Sequence, residues 1–476
     1  MKKKYQILLL CTSLVGLLQA LLITGCANMI PPTGGPKDSL PPKLLTADPA
    51  NAATNFNQKT INFSFDEYVA LEGLQENLIV SPTPQSMPII EAKLKTISIK
   101  LKDSLEKNTT YSINFGNAIK DINEGIILSN FLYTFSTGSA LDTLELFGKV
   151  VLAETGSADS TLIVMLHRSS EDSALLNQNP RYVTKLNGQG NFRFRFLPAE
   201  KFYLYALKDE GGTRKYFSST QLFAFAEKPV ILSQTMEPVT LFAFAEKKVT
   251  SPLSVNVLQQ SLPSGRAEDR RLKYATTISN QQHDLLNTLS ITFEKPLKNI
   301  DTSKLKLSTD TSFTAISNYG WKIDSTQKKI VLHMNWQENT RYNLILDKEF
   351  ASDSAAKMLL KTDTLIFTTK SRSNYGSVKI LFSNLDFSKN PILQFVQNNQ
   401  IINIFPLVGA EFVQPLFPPG NYELRILFDE NKNGKWDAGI FFGHRKQPEI
   451  VKPIEQKITI KPDWDNEFEI KISNQY

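Results

Sequence analysis

The sequence predicts an all-β protein built from β-sandwich domains in tandem. Apolar and polar residues alternate with a period of two in many strand-length segments, and long segments with a helical period are nearly absent. The 476 residues include 30 Phe and 14 Tyr, which is enough apolar mass for several small cores. Several segments also recur in the same order along the chain, which indicates a tandem duplication.

The alternation that predicts strands is clearest in five segments. Each runs over four to six residues, with every second side chain apolar or the whole segment largely apolar. The five segments are 60–65, 96–101, 191–196, 379–382 and 457–460. Turn-forming pairs such as Asn187-Gly188 and Asn433-Gly434 lie between predicted strands, so we expect short strands joined by tight turns.

The N-terminus has the pattern of a bacterial lipoprotein signal. Three lysines at positions 2–4 precede an apolar stretch from Ile7 to Ile23, and Thr24-Gly25 leads to Cys26. A transmembrane anchor is the alternative, but the stretch is short for a bilayer and Gln19 interrupts it. We therefore predict that residues 1–25 are removed and that Cys26 carries a lipid. Residues 26–39, rich in Pro and Gly, are the predicted flexible tether.

Cysteine content and charge narrow the function further. Of the two cysteines, Cys11 lies in the predicted signal and Cys26 is the lipidation site, which predicts a mature chain without a disulfide or a thiolate metal site. Removal of the signal takes three lysines and no acid, which lowers the formal charge from +6 to +3. Such a weak, dispersed charge argues against a nucleic-acid partner. Position 27 is Ala, so the Asp that retains enteric lipoproteins in the inner membrane is absent. We therefore expect the outer membrane, and the face of that membrane stays open.

Two internal repeats indicate the domain organisation. The segments 108–111 and 133–137 recur as 339–342 and 366–369, and four positions recur at a constant shift of 220. Those four are Pro198, Phe202, Leu204 and Asp209, which correspond to Pro418, Tyr422, Leu424 and Asp429. The nearly collinear shifts predict a duplicated two-domain unit. The predicted domains are 40–140, 143–249, 250–372 and 375–476.

A shorter repeat lies within the first copy of this duplicated unit. The segment 222–228 (LFAFAEK) returns as 241–247. Alternating Phe residues place two rings on one face of a strand, so we predict two neighbouring strands of one sandwich. The alternative is a functional aromatic platform.

Two family resemblances follow from these residues. The segments 61–69, 108–111 and 135–138 resemble the surface-layer type of bacterial Ig-like domain found in lipoproteins of Bacteroidetes. The segments 190–194 and 197–204 resemble the transthyretin-like sandwich of carboxypeptidase regulatory domains and collagen-adhesin repeats. This copy has Glu200 where the later copy keeps Gly420, so we expect a rearranged turn. The resemblances imply sandwich folds that space or bind, and they imply little about chemistry.

The segment 429–437 (DENKNGKWD) offers the one defined candidate site. Asp429, Asn431, Asn433 and Asp437 would supply side-chain oxygens and Lys435 a carbonyl, the set that a calcium-binding loop needs around a glycine. Ile440 occupies the position of the usual bidentate Glu. A plain turn, in which Asp and Asn bond their own backbone, is the alternative. Apart from this calcium site, the sequence predicts no cofactor.

Catalytic machinery is not recognisable in the sequence, so we predict that the chain is not an enzyme. The four histidines are scattered, and no nucleophile elbow or phosphate loop is present. Asp66 and Glu67 are adjacent in a predicted strand and would point to opposite faces, which makes them poor catalytic partners.

Eight aspartates lie in an Asp-Ser/Thr pattern followed by Ala, Leu or Thr. This pattern resembles the acceptor of the general O-glycosylation system of Bacteroidetes. The implied acceptors are Ser39, Ser104, Thr143, Ser160, Ser173, Ser325, Ser354 and Thr364. The alternative is that Asp-Ser is a favourable turn before a strand.

These observations predict a non-catalytic, lipid-anchored protein of the outer membrane. It would act as a structural or accessory component that engages a protein partner through exposed sheet edges or loops. A glycan- or peptidoglycan-binding lipoprotein is the alternative, and it needs aromatics such as Trp321, Trp336 or Trp464 on one surface. A hydrolase ranks third, because no site is recognisable.

Overall fold

The computed structural model describes residues 38–247, 271–309 and 311–473. The predicted signal peptide, Cys26 and most of the tether lie outside these residues, as does most of the polar stretch before Leu272. The chain divides into two compact units between Asp142 and Thr143. None of the helices in the described ranges has the length and hydropathy needed to cross a bilayer.

The first compact unit is one β-sandwich, confirming the all-β fold class. A sheet of order β1-β2-β6-β5 and a sheet of order β10-β7-β4 enclose the core, and β3-β8-β9 forms a small third sheet. Its helix α1 spans Leu74–Asn77. Its strands are β1 (Leu44–Asp48), β2 (Thr60–Phe65), β3 (Val69–Leu71), β4 (Ile79–Ser81), β5 (Ile89–Lys93), β6 (Thr96–Lys100), β7 (Thr110–Asn114), β8 (Ile119–Asp121), β9 (Ile127–Leu128) and β10 (Leu132–Ser136).

The second sandwich opens the second compact unit. The sheets β14-β11-β18 and β13-β12-β15-β16 face each other, with β17 also pairing with β15. Its helix α2 spans Ser173–Asn177. Its strands are β11 (Leu144–Leu152), β12 (Leu162–His167), β13 (Tyr182–Lys185), β14 (Asn191–Leu197), β15 (Lys201–Lys208), β16 (Phe223–Phe225), β17 (Val230–Ile231) and β18 (Val239–Ala243).

The third sandwich repeats the strand order of the first, with β20 added at the edge of one sheet. The sheets are β19-β21-β25-β24 and β20-β28-β26-β23, and β22 pairs with β27 as β3 pairs with β8. Its strands are β19 (Tyr274–Thr276), β20 (Gln282–His283), β21 (Leu289–Phe293), β22 (Leu297–Ile300), β23 (Leu305–Ser308), β24 (Gly320–Ile323), β25 (Lys329–His333), β26 (Arg341–Leu346), β27 (Ala351–Asp353) and β28 (Asp363–Thr369).

The fourth sandwich repeats the order of the second. The sheets are β32-β29-β35 and β31-β30-β33-β34, and β29 pairs in parallel with β35 as β11 does with β18. The repeated strand order agrees with the duplication predicted from the sequence. Its strands are β29 (Gly376–Ser383), β30 (Pro391–Gln397), β31 (Gln400–Pro406), β32 (Glu411–Phe417), β33 (Gly420–Phe428), β34 (Ile450–Ile460) and β35 (Asp465–Lys471).

Alternating side chains explain why these segments form sandwiches. Along β2, Ile61, Phe63 and Phe65 are buried and the residues between them are more accessible, so one face of the strand lines the core. In β14, Phe192 and Phe194 point inward in the same way. The buried rings come from distant strands, so each core closes only when both sheets are present.

Two local expectations have different outcomes. Asp66 and Glu67 do not lie in a strand, because β2 ends at Phe65 and both acids form a bend. The prediction that they point to opposite strand faces was therefore wrong. The turn at Glu200 does differ from that at Gly420. Gly420 has φ 156°, whereas Glu200 takes no positive φ and pairs with Arg168.

Candidate functional site

The predicted calcium loop connects β33 to β34 in the fourth sandwich. Asp429 is buried, and its carboxylate accepts the backbone N–H groups of Asn433 at 3.2 Å and Gly434 at 2.8 Å. Gly434 has φ 76°, a conformation that glycine adopts without strain. The first acid therefore wraps the loop around itself, as a turn does and as an ion-binding loop also requires.

The other predicted ligands converge on Asp437. The amide groups of Asn431 and Asn433 both donate to Asp437 Oδ2, the second at 2.6 Å. Lys435 lies within the same loop and donates its N–H to Asn433 Oδ1 at 2.8 Å. A half-turn of an amide exchanges its nitrogen for its oxygen, so both Asn side chains can present acceptors to a cation. The structure thus brings together all five residues that the sequence selected.

A sixth residue, the acidic Glu449, joins this loop and was missed by sequence reasoning. Its buried carboxylate accepts the N–H groups of Glu430 and Asp437, each at 3.0 Å. Burial raises the pKa of Glu449, the N–H of Asp437 opposes the rise, and the charges of Asp429 and Asp437 add to it. Ile440, at the position where an EF-hand carries Glu, is exposed and pairs with Lys446 through the backbone.

The matching loop of the second sandwich is simpler. Asp209 keeps part of the same role, because its carboxylate accepts the N–H of Arg214 at 3.1 Å. The loop offers no counterpart of Asn431, Asn433 or Asp437, since the sequence after Glu210 reads Gly-Gly-Thr-Arg. A single aspartate therefore suffices to close the turn. The side-chain oxygens of Asn431, Asn433 and Asp437 in the fourth sandwich are more than the turn needs.

Beyond Asp437 the chain forms what we call the docking loop, residues 437–449. Phe441 is fully buried and packs on the rings of Tyr205, Phe223 and Phe225, with centroids 4.9 to 5.8 Å apart. Those rings belong to the second sandwich, so the docking loop joins the fourth sandwich to the second. Gly439 permits this approach, because a Cβ there would lie 2.6 Å from the Phe244 ring.

Polar contacts surround the buried ring. Phe441 donates its N–H to Glu246 at 2.9 Å, and Gln447 donates to the carbonyl of Phe225 at 3.1 Å. Arg445 pairs with Asp172, and its guanidinium lies 4.7 Å from the centroid of the Phe441 ring. Directional bonds therefore fix the orientation of the docking loop on the second sandwich.

The LFAFAEK repeat builds the surface that receives Phe441. Phe223 and Phe244 exchange backbone hydrogen bonds of 2.8 and 2.9 Å, which places the two repeat segments side by side as the sequence predicts. The rings of Phe223, Phe225 and Phe244 share one cluster with Phe441. The aromatic face thus holds a segment of the same chain.

An acidic cluster lies in the first sandwich. Carboxylate oxygens of Glu67, Asp121 and Glu124 lie within 4.8 Å of one another. Although burial opposes it, the N–H groups of Glu124, Ile126 and Gly125 lower the pKa of Asp121. Burial raises the pKa of Glu67, and the charge of Asp121 adds to the rise. Sequence reasoning missed this cluster because β8 and the bend after β2 meet only in the fold.

The histidines do not converge on a site. His167 and His283 are buried in different sandwiches, whereas His333 and His444 are exposed. Burial lowers the pKa of His167 to about 4, and its Nε2 has no hydrogen-bond partner in the described chain.

The tryptophans proposed for glycan binding do not form one exposed strip. Trp321 and Trp336 pack against the core of the third sandwich, and the ring centroids of Trp336 and Tyr342 lie 5.1 Å apart. Trp464, in the fourth sandwich, is exposed and carries the Lys461 ammonium at 4.6 Å from its ring centroid.

The eight Ser and Thr residues of the acceptor pattern share an exposed position. All eight side chains are exposed, and they are Ser39, Ser104, Thr143, Ser160, Ser173, Ser325, Ser354 and Thr364. Several of the preceding aspartates accept backbone N–H groups, as Asp159 does from Thr161 and Asp353 from Ala355. Turn formation and accessibility are therefore both present at these positions.

Comparison with known proteins identifies one domain. Residues 38–137 match the family model of the bacterial Ig-like domain, so the first sandwich is similar to that family. No match to a characterised protein is found by sequence.

Solved structures resemble the chain only distantly. The Bacillus anthracis TIE protein is 10% identical, covering 92% of this chain and 76% of its own, with a TM-score of 0.17. BcpA, the major pilin subunit of Bacillus cereus, is 9% identical, covering 69% of this chain and 99% of its own, with a TM-score of 0.15. The MG0-NIE-MG1 domains of native alpha-2-macroglobulin from Escherichia coli are 11% identical, covering 38% of this chain and 70% of their own, with a TM-score of 0.19. TM-scores this low carry no functional argument.

Proposed function

We propose that this chain is a non-catalytic, lipid-anchored component of the bacterial outer membrane that binds a protein partner. The observation that carries the proposal is the exposed edge of the fourth sandwich, where β31 leaves Ile401, Ile402 and Ile404 open to solvent. An apolar edge strand is a template for pairing with another chain. The remaining sandwiches would serve as spacers that hold this edge away from the membrane.

Anchoring rests on the run that ends at Cys26. Cys26→Ala should abolish incorporation of labelled palmitate and release the protein from membranes or block its processing, because the acyl acceptor is lost. Cys11→Ala is the matched control, since Cys11 lies in the predicted signal, and it should label normally. Palmitate labelling that persists in Cys26→Ala would exclude this anchor.

The finer family assignment belongs to the same proposal. We assign the second and fourth sandwiches to the transthyretin-like type and the chain to a lipoprotein of Bacteroidetes. Support comes from the turn glycine that precedes an aromatic strand in the second sandwich, from the Pro-x-x-x-aromatic pattern of both copies, and from the shared strand order of the two sandwiches. The eight exposed acceptor hydroxyls are proposed O-glycosylation sites on the same basis. Mass spectrometry of the native protein would detect a glycan on the peptide containing Ser160, and Ser160→Ala should remove it.

Partner binding is tested by crosslinking in intact membranes followed by purification of the chain. We expect a crosslinked protein product that is reduced when Ile404 is changed to Lys, because a charge on the edge opposes strand addition. The glycan-binding alternative would instead need retention on peptidoglycan. The packing of Trp321 and Trp336 against the core of the third sandwich disfavours that alternative.

We also propose that the loop at 429–437 binds calcium weakly. The favouring observation is the approach of buried Glu449 to Asp429 and Asp437: burial raises the pKa of Glu449, and the charges of the two aspartates add to the rise. A cation would offset this repulsion, and oxygen ligands are those that calcium prefers. In this proposal Glu449 supplies the carboxylate that an EF-hand carries at the position occupied here by Ile440.

A further inference from the structure

The strand β31 is an unusual sheet edge. Among strands that end a sheet in the described chain, it is the longest without a charged residue, at seven residues. Ile401, Ile402 and Ile404 are 49%, 46% and 48% exposed, and Val408 just beyond is 99% exposed. The surrounding segment 390–410 contains no charged side chain, the longest such run after residue 37. Charges, short length and proline are the usual protections of an edge, and only Pro406 at its end is present.

The corresponding edge in the second sandwich is protected. There β13 occupies the place of β31, spans four residues and ends with Lys185. Tyr182 and Val183 of β13 are buried, so this edge presents little apolar surface. Two copies of one fold therefore differ at the same edge, and only the later copy leaves it open.

The absence of charge determines which occupant fits. Two copies of β31 related by a two-fold axis would pair antiparallel without any like-charge contact in any register, because the strand carries no charged side chain. Strands such as β35 and β32 carry acids and would not pair with themselves so readily.

We infer that β31 is the self-association site of this protein, joining two copies through antiparallel pairing of their β31 strands. The inference rests on the proposed function and names the partner as a second copy of this chain. Lipid anchoring would favour the pairing, because it confines copies to one surface and raises their effective concentration.

Single cysteines in the full-length chain test this pairing in isolated membranes. A two-fold axis brings one residue against its own copy, so Ile401→Cys, Ile402→Cys and Ile404→Cys scan the register. We expect at least one to give a disulfide-linked dimer on a non-reducing gel. Val413→Cys is the matched control, since Val413 is 54% exposed on β32, an edge strand protected by Glu411 and Pro415. The parent chain, with Cys11 and Cys26 alone, gives the background.

A second substitution distinguishes specific strand pairing from disulfides that form in random encounters between copies. In the variant that crosslinks, a lysine at Ile402 or Ile404 should lower the dimer yield at least about tenfold, because the charge is buried against its copy. Melting curves show that each variant is folded.

Four outcomes decide the inference. Crosslinking at β31 above the Val413→Cys level, with sensitivity to lysine, supports it. Equal yields at β31 and Val413 overturn it. A product with a different protein alone overturns the second copy as occupant. A folded variant whose β31 cysteine resists maleimide and forms no dimer also overturns it, since part of the same chain then covers the edge. Palmitate labelling of the same membranes measures lipid anchoring independently of crosslinking. A failure of the anchoring proposal and a failure of the self-association proposal can therefore be told apart.

Discussion

The second and fourth sandwiches have the same strand order and differ where the chain leaves the sheets. In the second, the loop after β15 closes around Asp209, and the edge strand β13 is short and charged. In the fourth, the equivalent loop gathers acids and amides, continues into the docking loop, and the edge strand β31 is open. The two sandwiches share the core pattern that folding needs and differ in loops and edges, where binding sites are tolerated.

The docking loop gives the two sandwiches different roles in their contact. The fourth sandwich contributes the ring of Phe441, and the second sandwich provides the pocket for it. The sequence alone predicts that a cut in the polar stretch at 264–271 leaves two folded halves. The packing of Phe441 among Tyr205, Phe223 and Phe225 changes the expected result, since the two fragments would stay associated.

The largest effect should come from Phe441→Ala. Loss of a fully buried ring should destabilise the joined sandwiches by about 3–5 kcal/mol. After limited proteolysis between the second and third sandwiches, fragments of the parent should co-elute in gel filtration, whereas fragments of the variant should separate. Phe217→Ala, which removes an exposed ring of the second sandwich, is the control. Co-elution of the Phe441→Ala fragments would show that the docking loop does not hold the sandwiches together.

A smaller effect should distinguish the sandwiches by pH. His167 is buried in β12, and the strand register places Val396 at the matching position of the fourth sandwich. Burial lowers the pKa of His167 to about 4 in the folded state, below the ordinary value of 6.5. The contribution of neutral His167 to the free energy of unfolding is therefore complete above pH 6.5. It is lost as the pH falls from 6.5 towards 4, because the unfolded chain takes up the proton first. The loss should reach about 3 kcal/mol.

The pH dependence is checked by melting curves between about pH 7 and pH 4, the range that spans the two pKa values. His167→Phe should remove the acid-dependent loss in the second sandwich, since Phe cannot titrate. His333→Gln, at an exposed position, should behave as the parent. An unchanged acid-dependent loss in His167→Phe would assign it to other groups.

The smallest expected effect is stabilisation by calcium at the loop 429–437, whose additional oxygen-bearing side chains are present only in the fourth sandwich. With a dissociation constant of roughly 0.1–1 mM, typical of extracellular modules, tenfold excess calcium should stabilise the fold by about 1.4 kcal/mol. Asp437→Asn and Glu449→Gln should each reduce the rise in melting temperature, because both remove charge while keeping shape. Asp209→Asn in the second sandwich should leave it intact. Equal melting curves with calcium and with chelator would leave the loop as a self-satisfied turn.

The sequence by itself predicted the all-β fold, because periodicity of two and turn residues are local properties. The recurrence of short segments in the same order predicted the repeated domain organisation. The alternation need not be long for this, since the three inward residues of β2, Ile61, Phe63 and Phe65, already specify its buried face. The residues of the 429–437 loop were also predictable, since they are consecutive and their spacing fixes which oxygens converge.

Only the tertiary structure identified Glu449, Phe441 and the open edge. Glu449 directly precedes β34, and the strand pairing of β33 with β34 brings it back to Asp429. The pair Phe441-Phe442 between two glycines was a visible signal, but its pocket comes from a different sandwich. Whether an apolar strand is interior or edge depends on its neighbours in the sheet, and so β31 could be recognised as exposed only after the sheet order was known.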